Sequence, residues 1–343
     1  MFLNRVLIDE SNLDSSQLIP YRLFSFSELK DGIYSPLERL RILNPDVKIF
    51  YKHSNPIFSE AFLQRYPFIQ PYSNEDVEFS LTPETYKPWE IIQNIGNRIR
   101  EDIDILKSHK KWPSKFKVKP NLYSTIGKPK NLIIHSEVDI LPNVVFDVRK
   151  GPVIIDKGVK ISPFTYIEGP VYIGPGTHLD NARITGGCII GTTCRLGGEI
   201  ENSYIGDFTN KHHEGFLGHS FVGSWVNIGA LATTSDLKNN YGIVKIHIKD
   251  KSITTNTIKF GSIIGDFSKI AIGTMMNTGS TIDIGCNIIA ERHSGYSESF
   301  RWASKDSKYR LDIFINDTKK IMARRNQTLT IEMENLLKNL YED

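Results

Sequence analysis

The stretch IDKGVKISPFTYIEGPVYIGPGTHL, residues 155–179, carries an aliphatic side chain at every sixth position: Ile155, Ile161, Ile167, Ile173 and Leu179. Unrelated short strands would not hold one register through five successive positions. A six-residue apolar period suits a β-helix, in which each hexad makes one short strand and a turn. The apolar residue points inward, and stacked coils complete a common core. The register slips after Leu179, returns at Val222 and Ile228, and runs again through Ile264, Ile270, Met276, Ile282 and Ile288. Residues 126–300 are therefore expected to be mainly β, a parallel β-helix of hexapeptide repeats. The segment 233–260 is too polar and too long for a hexad. It reads as an inserted loop with a hairpin-like middle, and such insertions commonly build the binding face of a solenoid.

Outward from this region the texture changes. Residues 1–82 look like a small mixed α/β domain, with NRVLID and DVKIFY as strands and SPLERLRIL and SEAFLQRY as short helices. Residues 83–125 are predicted to hold a linking helix, since Ile92, Ile95, Ile99, Ile103 and Leu106 recur at helical spacing before Pro113 and Pro120. In 301–343 two amphipathic helices are predicted, one marked by Leu311, Phe314, Thr318 and Ile321, the other by Leu329, Met333, Leu336 and Leu340. Their apolar stripes need a surface, which the solenoid end or a neighbouring subunit would supply.

Composition narrows the function. The chain has 343 residues, enough for about two domains with real cores, and a formal net charge of +3. So small an excess lacks the basic field of a dedicated nucleic-acid binder, so nucleic acid is not expected as a partner. Cys188, Cys194 and Cys286 are scattered without CxxC spacing, which argues against a disulfide framework and a zinc cluster and fits a reducing cytoplasm. No apolar run approaches membrane-spanning length, so no membrane partner is expected.

NKHHEGFLGHSFVGSWVNIGA, residues 210–230, concentrates the chemistry in His212, His213 and His219. Three readings stand at this point: polar residues on a solenoid corner, a metal trio, or a base for proton transfer. A metal trio would need a fourth ligand and a closed geometry that exposed corners rarely impose, so no metal is expected. Lys238, Lys245, Lys249, Lys251 and Lys259 in the inserted loop read most simply as solvated charge, with anionic ligands as the functional alternative.

KHHEGFLGHSFVGSWVNIGA, SDLKNNYGIVKI, IIGDFSKIAIGTMMNTG, SFRW and MARRN together resemble the sugar nucleotidyltransferase-related proteins akin to the bifunctional N-acetylglucosamine-1-phosphate uridyltransferase and glucosamine-1-phosphate acetyltransferase. The resemblance runs from Tyr86 to Asn326. A weaker similarity through SPLERLRIL and SEAFLQRYP points to a branch with a reduced N-terminal domain. It implies the left-handed form of the β-helix, a homotrimer, and acetyl-CoA or another acyl-CoA as co-substrate. In that family the amino half activates a sugar phosphate and the carboxyl half acetylates an amino sugar.

Carried over by position, the resemblance makes His213 the catalytic base and Asn227 a contact to the sugar. Phe216 stands where the family has a tyrosine. Glu201 replaces a phosphate-contacting lysine, and Asp236-Leu237 an Asn-Tyr pair. Ala230, Asp266 and Ser268 fall at the acyl-CoA contacts, Asp266 in place of a serine. A two-residue shortening near RLGGEIENS leaves Arg183 and Arg195 as candidates for a phosphate-binding arginine. In the amino half the first strand is followed by DESNLDSS, without the glycines that let backbone N–H groups approach a triphosphate. The domain 1–82 is read as a nucleotidyltransferase-like remnant. The expected function is acyl transfer from CoA to an amino sugar, a sugar phosphate or a nucleotide sugar. The alternatives are a catalytically silent sugar-nucleotide-binding or assembly protein on the same scaffold, or a sugar-phosphate nucleotidyltransferase.

Overall fold

The computed structural model describes residues 3–13, 22–83, 87–109, 122–303 and 307–343. Pro113, Pro120 and Tyr86 lie outside these. Five α-helices are described: α1 (Pro36–Leu43), α2 (Pro56–Arg65), α3 (Pro88–Ser108), α4 (Leu311–Ala323) and α5 (Ile331–Glu342). None is long and apolar enough to cross a membrane. The chain divides into two compact units, one of Met1–Lys30, Tyr34–Lys87 and Tyr309–Asp343, the other of Asp31–Ile33 and Pro88–Lys308.

The first unit is built on a four-stranded parallel sheet in the order Gln70–Pro71, Lys48–His53, Arg5–Glu10, Phe79–Leu81. Val6, Leu7 and Ile8 are all buried, as an inner parallel strand covered on both faces requires. Ser35 and Glu38 close a capping box at the start of α1, and Asn55 caps α2 ahead of Pro56. The C-terminal helices belong to this unit, where the structure differs from the segmentation of the sequence. Helix α5 packs on α2, with Leu336, Leu337 and Leu340 buried, and Asn55 Nδ2 donates to Asn339 Oδ1 at 2.9 Å. The apolar stripe of α5 thus finds a surface on α2, within this unit.

The second unit is a left-handed parallel β-helix of hexapeptide repeats. Successive coils pair in parallel 18 residues apart in its lower, N-terminal part, as in Lys160 with His178 and Val153 with Val171. The hexad residues Ile155, Ile161, Ile167, Ile173, Leu179, Val222, Ile228, Ile264, Ile270, Met276, Ile282 and Ile288 all enter one buried core. Burying each such side chain stabilises by about 1.5–3 kcal/mol.

The slip in phase has a local cause. At the corner between the first and second faces, inward residues stand six apart at Ile161 and Ile167, five apart at Leu179 and Ile184, and four apart at Leu196 and Ile200. They return to six at Lys211 and Leu217. The contraction is made by Asn181 and Gly198, whose φ of +47° and +69° turn the chain in a single residue. Strands His178–Thr185 and Arg195–Glu201 therefore run through the corner unbroken and join two faces into one twelve-stranded sheet.

The third face is covered by the chain itself. Helix α3, expected as a linker, lays its buried Ile91, Ile92, Ile95 and Ile99 along this face and packs on Val171–Ile173, Cys188–Ile190 and Phe221–Val222. Higher up, the inserted segment forms a hairpin, Lys245–Ile248 with Lys251–Thr254, that packs on Ser280–Ile282.

Candidate functional site

The contracted corner leaves a step. Below it, Leu196 is followed only by Gly197 and Gly198 before the next strand face, whereas the coil above inserts His212, His213, Glu214 and Gly215 between Lys211 and Phe216. The two histidines stand on this ledge, exposed, with rings stacked at 5.0 Å. His212 reaches across Gly197 to Asp180, two coils below, with Nε2 3.2 Å from Oδ2. Gly197 permits this, because a Cβ there would overlap the His212 carbonyl oxygen.

One coil above the ledge, Asn227 pairs in register with Asn210, whose Nδ2 donates to Asn227 Oδ1 at 2.8 Å. The next corner, Gly229 to Ala232, lies over the histidines: Leu231 N donates to Glu214 O at 2.7 Å, and Ala230 O accepts from Gly273 N. His213 and Ala230 thus occupy the corners of adjacent coils, each three residues past the paired Asn210 and Asn227.

Around the corner, the second face carries Arg183, Glu199 and Phe216 in one register, with Arg183 and Glu199 ion-paired. Glu201 sits two residues along, in register with Gly218. Gly218 is kept bare by the Phe216 ring and by Asp236, whose Oδ2 a Cβ would meet at 2.8 Å. Asp236 in turn accepts from His219, Nδ1 to Oδ2 at 2.6 Å, in a largely buried pair. Burial works against the charge on Asp236, yet the hydrogen bond and charge of His219, helped by Lys259, hold its carboxyl below the usual range. Lys259 Nζ also lies 3.6 Å from Glu201 Oε1. Phe216, Glu201, Asp236 and Arg183 therefore share one surface beside the ledge. Arg195 is elsewhere, against His178 in register on the first face.

Asp266 and Ser268 are buried within the coil. Asp266 Oδ1 accepts from Ser224 N at 2.6 Å. Ser268 Oγ donates to Asp283 O at 2.8 Å and accepts from Cys286 N. Their side chains serve coil stacking, the polar counterpart of the apolar ladder. Among the described residues, no three His, Cys, Asp or Glu side chains come together in a way that could hold a metal ion.

Sequence reasoning did not single out Lys211, which occupies an inward position, nor the pairs His212–Asp180 and His219–Asp236. The period of six carried a signal for Lys211, which stands six residues after Ile205 and six before Leu217, but its charge hid it among apolar positions.

In the first unit an open groove of about 610 Å³ is lined by His53, Ser59, Glu60, Leu63, Gln64 and Glu332. Ligands of open parallel sheets bind at the carboxyl ends of the strands. Here that end of the central strand is occupied by Glu10, wholly buried, which accepts from Phe26 N and Ser25 Oγ at 3.0 Å and from the Tyr51 hydroxyl. Those three donors are thus taken up by the protein's own carboxyl group. Burial pushes Glu10 up to about 7, against the opposing hydrogen bonds. A folded value above the unfolded one means that the native state keeps its proton longer. The corresponding stability is fully present below about pH 4.5 and is lost as pH rises through 7, a change of about 3 kcal/mol. Glu10→Gln should remove this slope. Urea unfolding of both proteins at pH 5 and pH 8 measures it, and parallel slopes would show that Glu10 does not titrate so.

No protein-family model matches the chain. Among curated proteins it is 29% identical over 181 residues to the bifunctional protein GlmU of Nostoc sp., covering 44% of this chain and 38% of that one. It is 31% identical over 192 residues to GlmU of Thermodesulfovibrio yellowstonii (52% and 40%). It is 31% identical over 202 residues to the bifunctional sugar-1-phosphate nucleotidylyltransferase/acetyltransferase of Sulfurisphaera tokodaii (51% and 48%). The chain resembles bifunctional sugar-phosphate transferases over about half its length. It spans less than half of each of these three relatives. Among solved structures, a hexapeptide transferase family protein from Anaplasma phagocytophilum aligns at 14% identity and TM-score 0.23, covering 64% of this chain and 94% of that one. A mutant GDP-perosamine N-acetyl transferase from Caulobacter crescentus, in complex with CoA and GDP-perosamine, aligns at 10% identity and TM-score 0.15 over 86% and 96%. Neither score carries a functional argument.

Proposed function

We propose that this protein is an acyl-CoA-dependent N-acyltransferase acting on an amino sugar, free or borne on a phosphate or nucleotide, with His213 as general base. The observation that carries this reading is the exposed imidazole of His213 on its ledge, one coil below the corner of Ala230 and beside the face that holds Phe216 and Asp236. The acetyltransferase in the name of the Sulfurisphaera tokodaii relative supports it. In the reaction, the acceptor nitrogen attacks the thioester carbonyl carbon and its proton passes to the imidazole. The C–S bond then breaks, the proton passes to the thiolate, and CoA leaves as the thiol. Asn227 offers an amide to the sugar, and the Phe216 ring offers an apolar floor.

The second reading, a silent sugar-nucleotide-binding or assembly protein, is favoured by one feature. On the substrate face Arg183 is paired with Glu199, Lys259 with Glu201, and His219 with Asp236. Isothermal titration with acetyl-CoA and a panel of amino sugars, their phosphates and nucleotide sugars, followed by a thiol-release assay, separates the two. An acyltransferase releases CoA with at least one acceptor, whereas binding without release sinks the catalytic reading.

The active assembly is proposed to be a homotrimer. Leu141 and Phe164 on the lower coils, and Leu231, Ile272 and Ile289 on the upper ones, leave apolar side chains exposed on the solenoid, and a neighbouring subunit would cover them. Sedimentation equilibrium should give three times the chain mass at micromolar concentration. A persistent monomer would remove the trimer.

A further inference from the structure

The inward ladder through the first face reads Ile161, Leu179, Leu196, Lys211, Ile228, Ile270, Ile288. Its single polar member is 1% exposed. An ammonium placed among aliphatic side chains costs free energy unless its donors are met. Lys211 Nζ donates to the backbone carbonyl of Gly197 at 2.8 Å and to that of His213 at 3.0 Å.

Both acceptors lie at the step. A two-residue corner stacked beneath a four-residue one cannot continue the coil-to-coil pairing through the turn, so carbonyls at the mismatch need another donor. Gly198 makes the room, since a Cβ there would come 3.0 Å from the Lys211 nitrogen. The charged groups facing the amine are Glu214 and Glu199. Burial pushes it down to about 8 against their opposing attraction.

We propose that Lys211 is a positioning residue, whose amine bridges the carbonyls of Gly197 and His213 and so fixes the ledge on which His213 stands. It does not touch substrate; it acts through the backbone of the corner. The consequence for turnover rests on the acyl-transfer reading, whereas the consequence for the corner does not.

Two measurements test it without a substrate. Reductive methylation of the native wild-type protein, read by peptide mass spectrometry, should leave Lys211 unmodified while exposed lysines such as Lys245 and Lys249 react fully. In Lys211→Met, which keeps the volume and removes the donor, amide exchange over residues 212–215 should rise at least tenfold while the core strands keep their protection. Labelling of Lys211 at the rate of the surface lysines, or unchanged exchange at the corner, overturns the proposal. Failure of Lys211→Met to fold also overturns it, because the role would then belong to the core. If thiol release has been detected, the same variant should lose about tenfold in kcat with little change in KM. A loss of kcat with an unmoved corner would show that another property of Lys211 matters, and absence of thiol release in the wild type would count against the acyl-transfer reading alone.

Discussion

His213→Ala lowers acyl transfer by about a hundredfold or more with acceptor affinity little changed, the loss expected when a positioned proton acceptor is removed. The imidazole is exposed and its ring stacks on His212, so the truncation leaves no buried cavity and the fold should persist. His219→Ala offers the contrast. It strips a buried partner from Asp236, so it should lower the melting temperature while turnover per folded molecule stays near normal. His212→Ala removes the contact to Asp180 and the stacked ring, and should cost less turnover than His213→Ala. Steady-state thiol release and thermal melts on the three variants distinguish a base from an architectural histidine. Near-normal turnover in His213→Ala with loss in His212→Ala would move the assignment by one position. Normal turnover in both would leave the ledge without a base.

Gly197→Ala carries the largest expected effect on stability, about 3 kcal/mol, at the upper end of what an overpacked methyl costs. The added Cβ meets backbone on two sides, the His212 carbonyl oxygen above and the Asp180 oxygen at 2.8 Å below, and neither can swing away as a side chain would. The coil must separate at the step, which also lifts His212 and His213. Gly273→Ala is the control. Its Cβ would meet nothing within 4 Å, and only its φ of +73° penalises the substitution, by about 1–2 kcal/mol. Urea denaturation gives both values. A loss in Gly197→Ala no greater than that in Gly273→Ala would show that the stacked coils accommodate the methyl and that their closeness at Gly197 does not set the cost.

The β-helix was legible in the sequence because its signal is local. Each hexad repeats the same requirement, an inward apolar side chain, and Ile155 through Leu179 state it five times without reference to any distant residue. The amphipathic helices and the two short strand–helix pairs of the first unit were legible for the same reason, since helical and strand periods are written within a dozen residues. Several relations were not legible. Lys211 stands six residues after Ile205 and six before Leu217, but it lies off the register of the two long apolar runs, and a charged residue gives no apolar signal at an inward position. His212 meets Asp180 across an intervening glycine, and His219 meets Asp236 from the next coil. Helix α3 has the spacing of any amphipathic helix, which says that one side must be covered but not that Tyr172, Ile189 and Phe221 lie on the face it covers. The apolar stripe of α5 likewise demanded a partner without naming α2. Periodicity along a chain determines which way a side chain points relative to its own backbone. Which coil lies over it, and therefore which polar groups share a ledge or a core, depends on the lengths of corners elsewhere and is decided only when the turns are stacked.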